Sequence, residues 1–227
     1  MNKRISGVVF DMDGVLFDTE RLCCDTWFEL CLERGLPASR ELFISFAGIA
    51  SEATFPIMEK ILGAEHDYRA MDTIVYERMR ANIQANGVPV KPGVFKTLEF
   101  LKANGYKTAV ATSSVEKEAM HTLGAGGVLG YFDELVFGDS IQNSKPAPDI
   151  YLKAAELLRL DPAECIAVED SPAGMRAAYN AGMLPVMAPD LIMPNEELAN
   201  IAYSIISPLD ELIETNIKPP PEVGRTE

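Results

Sequence analysis

Short apolar runs recur along the chain, at Ile5–Phe10, Thr108–Ala111, Leu135–Phe137, Ile166–Val168, Leu184–Met187 and Tyr203–Ile206. Each is brief, rich in β-branched residues and largely uncharged. That is how strands buried on both faces of a parallel sheet read. From Lys91 onward the runs alternate with stretches of helical spacing. Val94–Ala103 follows the turn Lys91-Pro92-Gly93, and Val115–Leu123 follows Ser113, which with Glu116 fits a capping box. Pro148–Leu158 carries apolar residues at helical intervals. Pro172–Ala181 has Ser171 as a natural N-cap and Gly182 just past its end. Alternating strand and helix predict an α/β domain with a doubly wound, Rossmann-like parallel sheet.

Residues 19–86 break this rhythm and hold no convincing strand. Leu22–Arg34, Ser51–Leu62 and Tyr68–Ala85 read as helices, separated by Gly35-Leu36-Pro37 and Gly63-Ala64. The pattern predicts an α/β core over 1–18 and 87–217, with an all-helical cap inserted at 19–86. Asp18–Glu20 and Asn86–Lys91 are the crossings and the expected hinges. Residues 218–227 lack a core-forming pattern and read as a frayed tail.

Composition narrows the function. The chain has 227 residues, with 48% apolar and 24% charged, and can bury a sizeable core without staples. Its net charge is −14. Such a surface repels nucleic acid and anionic lipid, so neither is expected as a partner. It repels phosphorylated metabolites too, so a phosphate site needs a local cation. The four cysteines, Cys23, Cys24, Cys31 and Cys165, form no CxxC pair. They read as reduced thiols of a cytoplasmic protein. Two histidines are too few for a His-rich metal site, and no apolar run is long enough to span a membrane. Nothing in the pattern demands assembly beyond a monomer or weak dimer.

Candidate chemistry lies at the strand ends, where ligands bind in open α/β sheets. The first run ends in Asp11-Met12-Asp13-Gly14. Two carboxylates on one side of an extended segment repel, and a divalent cation such as Mg²⁺ relieves that cost. The same residues also fit an ordinary turn. Thr112-Ser113-Ser114 places hydroxyls before a helix N-terminus, which suits a phosphate or, more simply, an N-cap. Lys145 lies in the stiff segment Ser144-Lys145-Pro146-Ala147-Pro148, and Glu169-Asp170 offers a second acidic arm or helix-capping groups. Each bland reading stands alone. Together, four successive strand ends present groups that phosphoryl chemistry uses.

The segments DMDGVLFDTE, ATSS, SKPAPDIY and VEDSPAGMRAA, in this order, strongly resemble the haloacid dehalogenase superfamily, and within it the β-phosphoglucomutase-like phosphatase branch. The resemblance spans the whole core. It implies a Mg²⁺-dependent phosphoric monoester hydrolase acting on a small phosphorylated metabolite: a sugar, polyol or nucleoside monophosphate. It implies Asp11 as the nucleophile that becomes an aspartyl phosphate, and Asp13 as general acid, then base. Thr112 and Ser113 would hold the phosphoryl group, with Lys145 pairing its oxygens. Asp11, Asp13 and Asp170 would ligate Mg²⁺, with Glu169 in or just behind the ligand set. Dehalogenases proper lack the second acid, so dehalogenation is disfavoured. Mutases of this branch carry a His after the first motif and an Arg in a cap loop. Ungapped alignment puts Cys23 and Ser51 there, which weighs against the phosphomutase alternative. A non-enzymatic receiver-like domain would use similar groups but has no helical cap of this length. Around the mouth, Glu20, Cys23, Trp27 and Ser51 are the expected cap-side substrate residues. Arg21 is the only base nearby, so an uncharged leaving group is expected.

Overall fold

A computed structural model of the chain describes residues 4–47, 49, 51–215 and 217. The expectation of a frayed tail at 218–227 falls outside them. The core sheet has six parallel strands: β1 (Gly7–Phe10), β2 (Lys107–Ala111), β3 (Glu134–Val136), β4 (Cys165–Glu169), β5 (Leu184–Met187) and β6 (Ser204–Ile205). Their order is β3-β2-β1-β4-β5-β6, with β1 paired to β2 and β4 in register from Gly7 to Phe10. The order reverses at β1, which makes its carboxyl end the switch point where a crevice opens.

Side-chain alternation builds two different faces. Val8, Phe10, Val110, Ile166 and Val168 meet Leu98 and Leu101 of α5 (Val94–Ala103) and Leu123 of α6 (Glu116–Ala125). On the other face Val9, Ala109, Ala111 and Ala167 meet α7 (Asp149–Leu158) and α8 (Pro172–Asn180). The small residues there let those helices sit close to the sheet. Each fully buried Val, Leu or Ile contributes about 1.5–3 kcal/mol relative to exposure. Two helices finish the domain, α9 (Glu196–Ile201) and α10 (Glu211–Thr215).

Ser171 caps α8, its hydroxyl accepting from the Gly174 N–H at 3.0 Å. The expected Ser113–Glu116 capping box is absent. Val115, extended and without a side-chain cap bond, is the N-cap of α6. The reason is that residues 112–115 serve other contacts. Thr112 Oγ1 takes the Ser114 N–H, and the Ser113 carbonyl packs where any side chain at Gly138 would stand.

Between β1 and α5 lie four helices: α1 (Thr19–Glu33), α2 (Arg40–Ile44), α3 (Ser51–Leu62) and α4 (Tyr68–Asn86). They enclose an apolar cluster of their own, including Trp27, Leu30, Phe43, Phe55, Met58, Met71 and Val75. The short α2, started by the Ser39 side chain, lies in a stretch to which the sequence pattern assigns no element. The crossings to the sheet domain run side by side. Asp18 N–H donates to Pro89 at 2.9 Å, Lys91 N–H to Leu16 at 2.9 Å, and Phe17 bridges to Val90.

Candidate active site

Asp11 is the residue after β1, its N–H bonded to the Val168 carbonyl of β4 at 2.9 Å. Its carboxylate faces Lys145, whose Nζ lies 2.5 Å from Asp11 Oδ1, 2.7 Å from Glu169 Oε1 and 3.1 Å from the Ala111 carbonyl. One ammonium therefore ties together the ends of β1, β2 and β4. Glu169 is fully buried, and Tyr151 of α7 donates to its Oε1 at 2.5 Å. Its Oε2 faces the N–H groups of Asp170 and Ser171 and the Ser171 hydroxyl, at 3.2 to 3.4 Å. A Cβ at Gly174 would stand 1.9 Å from that carboxylate, so only glycine lets α8 pass it.

Asp11, Glu169 and Asp170 each place an oxygen within 4.8 Å of the others. When ionised, the three carboxylates against the Lys145 ammonium carry a local charge of −2, which one divalent cation balances. Gly14, at φ +79°, supports the fit, because a Cβ there would stand 2.0 Å from Asp170 Oδ2. Glu169 already serves Lys145, Tyr151 and Ser171, so Asp11 and Asp170 have the freer oxygens toward a metal.

The electrostatics follow from burial. Burial pushes the Asp11 carboxyl up to about 8, against the pull of Lys145 and with added push from Glu169 and Asp13. Asp170 rises well above the usual carboxylate range for the same reason, with Glu169 and Asp11 adding to it. Burial works against the Lys145 ammonium, but Asp11 and Glu169 together more than offset it and raise its pKa. Asp13 is raised by burial and held down in part by hydroxyl donors. Those donors are Thr19, on Oδ1, and Ser114, on Oδ2 at 3.0 Å. Thr112 is buried, and its hydroxyl takes the Ser114 N–H at 3.1 Å. The Thr112 O–H itself has no acceptor among the described residues, and Ser113 is exposed beside it.

These groups open on a cavity of about 700 Å³ roofed by the helical insert. Asp11, Asp13, Thr112, Ser113, Lys145 and Asp170 line it from the sheet side. Glu20, Cys23, Trp27 and Ser51 line it from the insert, and Glu169 stays behind the wall. Trp27 is less available than expected. It is 5% exposed and stacked on Phe43 at 5.8 Å, so it can offer an edge to a ligand but not a free face. Arg21 turns away to Asp18 and Asp190. All four cysteines are free, and burial raises their thiol pKa values.

Thr19, Ser114 as the partner of Asp13, Tyr151, Asp72 and Tyr76 were not singled out from sequence. For Thr19 and Tyr151 the available signal was position, inside DMDGVLFDTE and SKPAPDIY. Asp72 and Tyr76, on α4, had none.

The family profile of haloacid dehalogenase-like hydrolases matches residues 8–188. The chain belongs to this family. It is 34% identical over 179 residues to a phosphorylated carbohydrates phosphatase of Thermotoga maritima, covering 79% of this chain and 82% of that one. It is 30% identical over 188 residues to the β-phosphoglucomutase of Bacillus subtilis, covering 80% and 82%. CbbY from Rhodobacter sphaeroides, solved in complex with phosphate, superposes with a TM-score of 0.79 at 26% identity, covering 92% and 96%. The hydrolase family and the phosphatase names among its relatives make this chain an enzyme of the phosphoric monoester hydrolase kind. No helix among the described residues is long and apolar enough to cross a membrane.

Proposed function

We propose that the protein is a Mg²⁺-dependent phosphatase that hydrolyses a small phosphorylated metabolite through an aspartyl phosphate on Asp11, in the cytoplasm. One observation carries the reading. The Asp11 carboxylate stands at the switch point of the sheet, one oxygen on Lys145, among acids whose excess charge, when ionised, equals that of a divalent cation. The phosphatase relative of Thermotoga and the phosphate held by CbbY support the same chemistry.

In this reading an Asp11 oxygen attacks phosphorus, and the ester P–O bond breaks. Asp13 gives its proton to the departing alkoxide. Burial, by raising its pKa, keeps that proton available. Thr19 and Ser114 aim the Asp13 carboxyl. In the second half a water attacks phosphorus, Asp13 takes its proton, and the Asp11–phosphorus linkage breaks to release phosphate. The Thr112 hydroxyl and the Ser113 backbone donate to the phosphoryl oxygens, and Lys145 neutralises them. Asp11, Asp170 and the Asp13 carbonyl would hold Mg²⁺, which when bound would supply positive charge against the transferring group. Two unit charges 4 Å apart at an effective dielectric near 20 interact by about 4 kcal/mol. A dianion could not approach these acids without that compensation.

Residues 19–86 act as the cap, closing over the cavity during attack and opening for release. Hydrolysis is favoured over phosphomutase transfer. A mutase must hold a second phosphate, and Arg80 of α4, the one cation among the described residues that lines the cavity from the insert, is already engaged by Glu118 of α6. The test is a panel of phosphorylated metabolites assayed for phosphate release with and without Mg²⁺. Metal-dependent release from at least one monophosphate is expected. Interconversion of sugar phosphate isomers without release would overturn the reading.

A further inference from the structure

The insert side of the cavity carries a polar cluster that the phosphoryl chemistry does not use. Ser51 opens α3, and Asp72 and Tyr76 lie one turn apart on α4. All three line the same cavity as Asp11 and Asp13. The Ser51 side chain lies beside both Asp72 and Tyr76 and draws the pKa of each down in part. Burial raises the Asp72 carboxyl to about 6 while Ser51 draws it down, so it remains mostly ionised at neutral pH.

The charge of the lining is lopsided. Eight carboxylates line the cavity, at Asp11, Asp13, Glu20, Glu52, Asp72, Glu77, Glu118 and Asp170, against three cations. Of those cations Lys145 is bound to Asp11 and Glu169, and Arg80 to Glu118. Lys117 is exposed on the sheet-domain helix α6. Glu52 is paired with Arg69, but Asp72 has no cation bridged to it among the described residues. A carboxylate only accepts hydrogen bonds, and a tyrosine and a serine beside it can accept or donate. Such a surface welcomes hydroxyl groups and repels a second anion.

We propose that Asp72, positioned with Ser51 and Tyr76, selects the leaving group: it accepts hydrogen bonds from the hydroxyls of an uncharged polyhydroxylated body and rejects substrates with a second phosphate or carboxylate. The proposal rests on the phosphatase reading and adds the residues that set its substrate class. Selection works by attraction and repulsion together. A hydrogen bond to a charged group changes affinity by about ten- to a hundredfold.

The experiment compares kcat/KM for a hexose or polyol monophosphate, a hexose bisphosphate and p-nitrophenyl phosphate, which has no hydroxyls to recognise. The enzymes are the wild type, Asp72→Asn, Tyr76→Phe and Asp72→Lys. In the wild type the monophosphate exceeds the bisphosphate. Asp72→Asn lowers the ratio of monophosphate to p-nitrophenyl phosphate by about tenfold or more, and Tyr76→Phe lowers it less. Asp72→Lys raises the ratio of bisphosphate to monophosphate by at least about tenfold. A wild-type preference for the bisphosphate, or ratios that Asp72→Asn and Tyr76→Phe leave in place, would overturn the proposal even if Asp72→Lys failed to fold. Absent Mg²⁺-dependent turnover of p-nitrophenyl phosphate would instead fell the phosphatase reading.

Discussion

Two side chains in the crevice are asked to do different work, and substitution separates them. Asp11→Asn keeps the shape of the carboxylate and removes its nucleophilic charge. Turnover should fall by about a thousandfold or more, while the buried acids nearby lose a repelling neighbour. Near-normal phosphate release by purified Asp11→Asn would refute the nucleophile assignment. Asp13→Asn should cost about a hundred- to ten-thousandfold on alkyl phosphates, where the leaving oxygen needs a proton, and far less on p-nitrophenyl phosphate. Equal losses on both substrates would show that Asp13 acts only through shape or metal. The strand-end groups Asp11, Asp13, Thr112, Lys145 and Asp170 were legible in sequence, because a parallel sheet gathers its carboxyl ends and each run ended in a chemically marked residue. Glu169 was legible as an acid, but its role was not. Tyr151 reaches it from α7, and the Gly174 approach of α8 confines it. Such partners are distant along the chain and share no pattern. Asp72 and Tyr76 were hidden similarly, since they join the expected Ser51 only when α3 and α4 pack.

At the scale of elements, the two crossings between insert and sheet domain are the place where motion would concentrate. They are tied backbone to backbone at Asp18–Pro89 and Lys91–Leu16. A second tie is ionic: the nearly buried Asp190, just beyond β5, accepts from Lys91 at 2.6 Å and lies 3.6 Å from Arg21 of α1. Lys91→Met removes one cation and leaves Asp190 under-compensated. Amide exchange should then quicken at residues 17–20 and 88–92, with β1 and β4 still protected, since local opening does not require the core to unfold. Exchange that quickens equally in β1 and β4 would mean that the tie supports the whole fold and not the crossings. Most elements were legible because helical period and strand brevity are local signals: α3, α5 and β5 match the sequence expectation end to end. The five-residue α2 is too short to show a period, and it exists because Ser39 and packing of Phe43 on Trp27 hold it. The missing Ser113–Glu116 box has the opposite cause. A local capping preference gave way to the loop that places Thr112 and Ser114 at the site.

For the whole molecule the crevice acts on stability through pH. Asp11, Asp13 and Asp170 all hold their protons more tightly in the folded state than an exposed carboxyl does, whose pKa is near 3.9. Between that value and the raised native ones, reaching about 8 for Asp11, the native state binds more protons than the unfolded state. Stability must then fall as pH rises through this window. Lys145 adds nothing to the slope there. Its pKa is raised, so its contribution is complete below the unfolded lysine value near 10.4 and is lost only above it. The net charge of −14 pushes the same way as the acids, because general repulsion also grows with pH. The Asp11→Asn protein separates the two, since it leaves the surface charge almost unchanged. Metal-free wild type should melt at progressively lower temperature from pH 5 to pH 8, and Asp11→Asn should show a shallower fall. A divalent cation competes with protons for the same oxygens, so Mg²⁺ should raise Tm more at pH 8 than at pH 5. At a hundredfold excess over its Kd the gain is about 2.7 kcal/mol, or about 5–10 °C for a chain of this size. The measurement is a thermal melt across pH, with chelator or Mg²⁺, for both proteins. A slope that is the same with and without Asp11 would assign the effect to the surface, and a Mg²⁺ gain independent of pH would place the cation away from these carboxylates.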